Sequence, residues 1–174
     1  METAENEVSA TEQLVITLTR IGHGYDAHRF AEGRRLVLGG VVIPYEFGLS
    51  GHSDADAAVH ALIDALLGAA ALGDIGGLFP DTDARWKDAD SVMLLKKTVD
   101  ILRREGYNVG NADLTIVAQS PKLSPYAAQM RQNIAAALGV DIGRVSVKST
   151  TEEGMGFTGR GEGIAAHAVC LISD

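Results

Sequence analysis

The sequence predicts one α+β domain, with a mostly four-stranded mixed sheet, a small hairpin and helices on one face. Three observations predict it. At 174 residues, with 46% apolar and 22% charged side chains, the chain can build one core but not two comfortable ones. Strand-like alternation and helical periodicity are interleaved along it. No internal repeat or low-complexity linker divides it, so residues 14–174 form the domain and residues 1–13, polar and aperiodic, a flexible tail.

The elements follow in order. Leu14 to Thr19 begins a strand that runs into Ile21. Leu36-Val37-Leu38 and Val41-Val42-Ile43 flank Gly39-Gly40, where both turn positions of a tight hairpin can take positive φ. Ala57, Ala58, Ala61, Leu62, Ala65, Leu66 and Ala69 mark a helix, with Ser53 as N-cap, Asp54 and Asp56 at its positive end, and Gly73 as its stop. Leu78 to Asp83 forms an ordered loop. A second helix spans Ser91 to Glu105 and stops at Gly106. Asp113 to Ala118 is a strand, and Ser124-Pro125 opens a third helix, serine as N-cap and proline at N1, that Gly139 closes. Val145 to Lys148 and Ile164 to Ile172 complete the sheet. Helices on a single face leave the sheet's other face to be covered, and self-association is the simplest cover.

Composition narrows the function. A net charge of −8 argues against general phosphate attraction to nucleic acid, though not against a phosphorylated small molecule held by cations and backbone N–H groups. No apolar run approaches the roughly 18 residues that span a bilayer. The acidic start Met1-Glu2-Thr3 is unlike a signal or transit peptide, so the expected compartment is a bacterial-type cytosol. Cys170, the single cysteine, lies between Val169 and Leu171, in an expected buried strand position.

Four segments carry candidate chemistry. Asp26 and His28 sit two apart, on one face of an extended segment, either as a metal-gripping pair or as an ordinary hydrogen-bonded surface pair. His52-Ser53-Asp54-Ala55-Asp56 leads to His60, an imidazole in a stretch built for packing. Two readings are open: a core histidine bonded to Asp56 or Asp64, or a third metal ligand whose tautomer one of those carboxylates fixes. Gly73 to Asp83 places three acids in a glycine-rich loop. Lys148 to Gly163 runs from hydroxyls and acids into alternating glycines, which allow close approach to a ligand or another chain. Its Gly-x-Gly units lack the strand–turn–helix setting of a dinucleotide fingerprint.

Taken in order, these blocks resemble the 2-C-methyl-D-erythritol 2,4-cyclodiphosphate synthase family. The matching residues are Arg20-Ile21-Gly22-His23-Gly24-Tyr25-Asp26-Ala27-His28, Gly51 to Asp56, Leu72 to Gly76 with Leu78 to Asp83, Ala118 to Lys122, and Phe157 to Gly163. The resemblance implies a homotrimer packed around a threefold axis, with active sites between subunits. It implies Asp26, His28 and His60 as ligands of Zn²⁺ or a similar ion, and Glu153 as holder of a second ion, Mg²⁺ or Mn²⁺, against the substrate diphosphate. His52 and Ser53 would meet the phosphates, and Asp74, Gly76, Phe79, Pro80, Asp81, Thr82 and Asp83 the methylerythritol portion. Ala118, Lys122 and Leu123, with Ser149, Thr150 and Thr151, would form the nucleotide side. The catalytic set implied is His52, Ser53, Asp74 and Thr151. Phe157, Arg160 and Glu162 would line a central channel open to an isoprenoid diphosphate. The implied reaction is CMP-releasing cyclisation of a cytidine-diphosphate-linked substrate in non-mevalonate isoprenoid synthesis, a phosphorus–oxygen lyase activity without nucleic-acid or membrane partners. A metal-dependent phosphohydrolase using the same ligands is the alternative, and a noncatalytic metal- or isoprenoid-binding trimer a third reading.

Overall fold

The computed structural model describes residues 17–174, so the expected tail and the first strand residues, 14–16, lie outside the described part. Strand β1 (Thr19–Ala31) alternates strictly: Ile21, His23 and Tyr25 are exposed, while Gly22 and Gly24 are buried. Strands β2 (Leu36–Leu38) and β3 (Val41–Ile43) form the expected hairpin, with Gly39 and Gly40 at φ 57° and 68°. The other strands are β4 (Gly48–Leu49), β5 (Asn108–Val117), β6 (Val145–Thr150) and β7 (Gly163–Ser173). The main sheet runs β4-β1-β7-β5-β6. It therefore has five strands rather than four, because the two-residue β4 pairs with the end of β1 through Phe30 and Ala31. The sheet is mixed: β7 is antiparallel to β1 and β5, and β6 is parallel to β5. β5 starts five residues before the expected Asp113, since a bulge between Val109 and Asn111 breaks the alternation there.

Helix α1 (Ala57–Ala69) lies directly on β1 and β7 and is buried almost all round. The contact is backbone to backbone. A Cβ on Gly22 would sit 1.8 Å from the Ala65 carbonyl oxygen, and one on Gly24 1.9 Å from that of Ala61. Helix α3 (Ser91–Arg104) buries Leu94, Leu95, Val99 and Leu102 on one stripe against α1, as its periodicity predicts. Helix α4 (Ala127–Leu138) covers β6, and Gly139 closes it in the left-handed conformation. Two short helices, α2 (Ile75–Leu78) and α5 (Gly156–Gly159), are too short to show a period in sequence.

Three expected helix ends are corrected. Asp56, not Ser53, caps α1: its carboxylate accepts the Val59 N–H at 3.1 Å and also the N–H groups of Gly39 and Gly40, at 2.9 and 2.7 Å. One buried acid thus ties the hairpin to the helix start. The same helix stops at Ala69, before Gly73, because the Leu72 N–H turns back to the Leu67 carbonyl. Ser124-Pro125 opens a 3₁₀ turn (Ser124–Tyr126) without a side-chain cap, and α4 starts only after it. The acidic loop begins inside α2 and becomes irregular only from Phe79.

Cys170 is buried on β7, 1% exposed, as expected. Burial raises its thiol pKa from 9.0 to about 11, outweighing a hydrogen bond with the Gly22 backbone. A raised folded-state value adds stability that is complete below the ordinary pKa and disappears as pH rises through the folded one. Between about pH 9 and 11 the protein should lose roughly 3 kcal/mol more stability than Cys170→Ala. Urea midpoints of both proteins across that window measure the difference, and identical pH profiles would contradict it. At neutral pH thiol reagents should label Cys170 only after unfolding.

Candidate metal centre and substrate cavities

The two-residue period of β1 turns Asp26 and His28 to the face that packs on α1, and the first turn of α1 brings His60 opposite them. Asp26 Oδ2 lies 2.7 Å from His28 Nε2 and 3.1 Å from His60 Nδ1, and the two ring nitrogens are 3.2 Å apart. His28 Nδ1 is 2.7 Å from the Ser50 carbonyl, which only accepts, so Nδ1 carries a proton and Nε2 is the nitrogen turned to Asp26. Three potential ligand atoms thus converge on one point. That donor set fits a divalent cation, two imidazoles and one carboxylate leaving further positions open. The same crowding shows in the pKa values. Burial works against charge on Asp26, but hydrogen bonds and attraction from His28 and His60 hold its carboxyl far below the usual range. Burial likewise opposes a charged His28, and Asp26 more than reverses it, raising the imidazole pKa.

His60 belongs by geometry to the group that could hold a metal ion, but neither carboxylate expected to hold the ring does so. Asp56 is committed to the hairpin and the α1 cap, and Asp64 accepts the Ile75 N–H at 2.7 Å. His60 Nε2 instead meets Ser91 Oγ, 2.8 Å away at the start of α3.

A cavity of about 380 Å³ opens on this centre. It gathers Asp26, His28 and His60 with His52, Ser53, Gly76, Phe79 and Asp81, all expected site residues. Arg34 fixes the loop carrying His52 and Ser53 by donating to the carbonyls of Gly51, at 3.0 Å, and Ser53. The cavity's apolar wall includes Ile75, which lies in a matched block, and Trp86 and Leu94, which lie in none. Phe79 and Trp86 stack edge to face with centroids 5.0 Å apart. No polar motif marked Trp86 or Leu94; only their place in the fold does. Asp74 is not among the lining residues: its carboxylate caps α2 by accepting the Gly77 N–H at 2.8 Å. Pro80 and Thr82 do not line it either, and Asp83 is engaged by Arg85 at 2.6 Å, which depresses its pKa.

A second cavity, about 440 Å³, lies at the ends of β5 and β6 and brings together Ala118, Lys122, Leu123, Ser149, Thr150 and Thr151. It shares no residue with the first. Beside it the adjacent glutamates have different tasks. Glu152 accepts the hydroxyl of buried Thr158 and supports α5. Glu153 sits at φ 52°, a strained value for a non-glycine residue, and its carboxylate accepts the Thr151 hydroxyl at 2.6 Å. Phe157 and Arg160 line neither cavity, and exposed Arg160 pairs with half-buried Glu162 at 2.6 Å. The larger groove beside β6, about 670 Å³, contains none of the expected site residues and is lined by Asp113, Arg131 and Lys148 among others.

The chain is similar to known proteins over most of its length. The model of the YgbB family matches residues 19–173. The 2-C-methyl-D-erythritol 2,4-cyclodiphosphate synthase of Trichlorobacter lovleyi is 61% identical over 88% of this chain and 98% of its own. A solved 2C-methyl-D-erythritol-2,4-cyclodiphosphate synthase in a CDP-bound form superposes with a TM-score of 0.81, at 39% identity over 88% of this chain and 99% of that one. The bifunctional IspDF of Campylobacter jejuni gives 0.87 at 46% identity, covering 91% of this chain and 43% of that longer one. Matched over nearly its whole described length, the chain belongs to the YgbB family, which its curated relatives identify with the 2-C-methyl-D-erythritol 2,4-cyclodiphosphate synthases.

Proposed function

We propose that this chain converts 4-diphosphocytidyl-2-C-methyl-D-erythritol 2-phosphate to 2-C-methyl-D-erythritol 2,4-cyclodiphosphate and CMP, in isoprenoid synthesis. The observation that carries the reading is the convergence of Asp26, His28 and His60 beside His52 and Ser53 in one cavity. A 2-phosphate oxygen attacks the β-phosphorus, the bond from that phosphorus to the CMP oxygen breaks, and CMP leaves with the electron pair. Phosphoryl transfer asks the protein mainly for in-line positioning and charge neutralisation. A zinc-like ion on Asp26, His28 and His60, with Mg²⁺ or Mn²⁺ on Glu153, supplies the neutralisation when bound.

The chain's own residues hold the substrate. His52 and the Ser53 hydroxyl face the phosphates from a loop that Arg34 keeps rigid. Ile75, Phe79, Trp86 and Leu94 enclose the carbon skeleton and exclude water. The cavity from Ala118 to Leu123 takes the cytosine, with Ser149, Thr150 and Thr151 completing the nucleotide side and Thr151 placed beside Glu153. Asp74 and Asp83 shape the acidic loop around the methylerythritol hydroxyls. Holding nucleophile and phosphorus in near-attack geometry is worth on the order of 7–11 kcal/mol. No covalent enzyme intermediate is needed, so Ser53 acts as a binding group.

The assembly is a homotrimer with the two cavities of one active site supplied by neighbouring subunits. Support comes from the uncovered sheet face, where Ile21, Tyr25, Val169 and Leu171 are exposed, Ile21 by 70%. Phe157, Arg160 and Glu162 then face a central channel that accepts an isoprenoid diphosphate. No helix among the described residues is long and apolar enough to cross a membrane, and the cytoplasm is the proposed compartment.

Phosphorus NMR of the protein with this substrate, zinc and Mg²⁺ tests the reaction. A cyclic diphosphate should appear together with equimolar CMP. CMP with only linear phosphates would identify a phosphohydrolase, and absence of CMP a binding protein.

A further inference from the structure

Resting on that metal-site reading, we infer that Asp54 and Ser91 are positioning residues that fix which nitrogen of His60 carries the proton, and so point a lone pair at the metal. His60 is buried, 8% exposed, with Nδ1 facing Asp26 and His28 and Nε2 facing Ser91 Oγ at 2.8 Å. A serine hydroxyl can donate to an imidazole nitrogen or accept from it, so Ser91 alone does not choose the tautomer. Asp54 chooses. Its carboxylate accepts the Ser91 hydroxyl proton through Oδ1 and the Ser91 N–H, 3.0 Å away, through Oδ2. A carboxylate has no proton to return, so the hydroxyl proton stays with Asp54 and Oγ offers only lone pairs to His60. Nε2–H then has an acceptor in Ser91, and Nδ1 is the nitrogen that would be left bare for a cation beside Asp26.

The arrangement is rigid at every joint. Ser91 is completely buried at the first position of α3, and Asp90 caps that helix by accepting the Met93 N–H at 3.0 Å. Asp54 also occupies the positive end of α3, where a carboxylate is favoured. Its own N–H is held by the Ala89 carbonyl at 3.2 Å. Among the described residues the other hydroxyl at His60 Nε2, Ser53 Oγ at 3.2 Å, is the more distant and faces the substrate cavity. Asp54 thus links the His52–Ser53 loop to the metal centre without touching the metal. A carboxylate or hydroxyl behind a metal-bound histidine typically governs affinity in this way.

The test uses the full chain labelled with ¹⁵N at histidine. In the metal-free protein the ring ¹⁵N shifts read the balance between the Nε2–H and Nδ1–H forms of His60. In Asp54→Ala the Ser91 hydroxyl is released to donate to Nε2, so the balance should shift toward the Nδ1–H form although Asp54 does not touch His60. Asp54→Asn, which keeps one acceptor oxygen for the two Ser91 donors, should give an intermediate pattern. Zinc affinity, measured by competition with a chelator, should fall about 10- to 100-fold in both Ser91→Ala and Asp54→Ala. An unchanged tautomer and unchanged zinc affinity in folded Asp54→Ala would overturn the inference while leaving the proposed reaction intact. A parent protein whose zinc binding is indifferent to Asp26→Asn would overturn the metal reading and this inference together.

Discussion

His60→Ala is expected to lower turnover by at least about a thousandfold while leaving a folded protein. The expectation follows from what the side chain does. It supplies one of three converging lone pairs, and the other two, on Asp26 and His28, are 2.7 Å apart and make a poor site by themselves. Loss of one pre-organised electrostatic group commonly costs 10²–10³-fold, and loss of a whole cation adds to that. The fold should survive because the departing ring leaves Ser91 still bonded to Asp54. A second readout is independent of turnover. Zinc at 100 times its Kd should stabilise the parent by about 2.7 kcal/mol, and that increment should vanish in the variant. Full turnover in His60→Ala, or an undiminished zinc increment, would remove the metal centre from the proposal.

Gly24→Ala is expected to cost at least about 3 kcal/mol, the upper end of ordinary overpacking, and to weaken zinc binding with it. The new methyl would lie 1.9 Å from the Ala61 carbonyl oxygen and 2.7 Å from the Ala65 nitrogen, both backbone atoms of α1 that cannot rotate aside. The helix must move off the strand. Since His60 precedes Ala61 on that helix, the same displacement carries it away from Asp26 and His28. Against a total stability of roughly 5–15 kcal/mol the loss is large. Gly68→Ala is the control in the same helix: its Cβ meets nothing within 4 Å, so it should stabilise by about 0.5–1 kcal/mol. Urea midpoints and zinc titrations of both variants check the pair. Equal midpoints for Gly24→Ala and the parent would mean that α1 does not rest on β1 as described.

Much of this was legible from the chain because its signals are local. The hairpin turn is written in Gly39-Gly40, the stripe of α3 in its own spacing, and the Asp26–His28 pair in a two-residue interval. What was not legible depends on partners far away in sequence. Ser53 has the chemistry of an N-cap, yet Asp56 takes the role because the amides of Gly39 and Gly40, 17 and 16 residues earlier, converge on its carboxylate. His60 was assigned a carboxylate on its own helix, whereas its partner is Ser91, 31 residues on. Trp86 and Leu94 look like ordinary apolar residues until the loop and α3 place them in a cavity wall. Glu152 and Glu153 are equivalent as letters; a left-handed backbone at Glu153 and the Thr158 hydroxyl on Glu152 distinguish them.

The even-numbered positions of β1 carry a further consequence. Gly22 and Gly24 admit the helix, and Asp26 and His28 form the centre, all on one side of the strand, while Ile21, His23 and Tyr25 share the opposite side. Packing and chemistry therefore have the same parity. A one-residue slip against β7 would turn Tyr25 and His23 toward α1, where there is no room for any side chain. A chain that assembled in that register would fail to pack before it failed to react, so quality control that discards misfolded protein would also discard the inactive isomer.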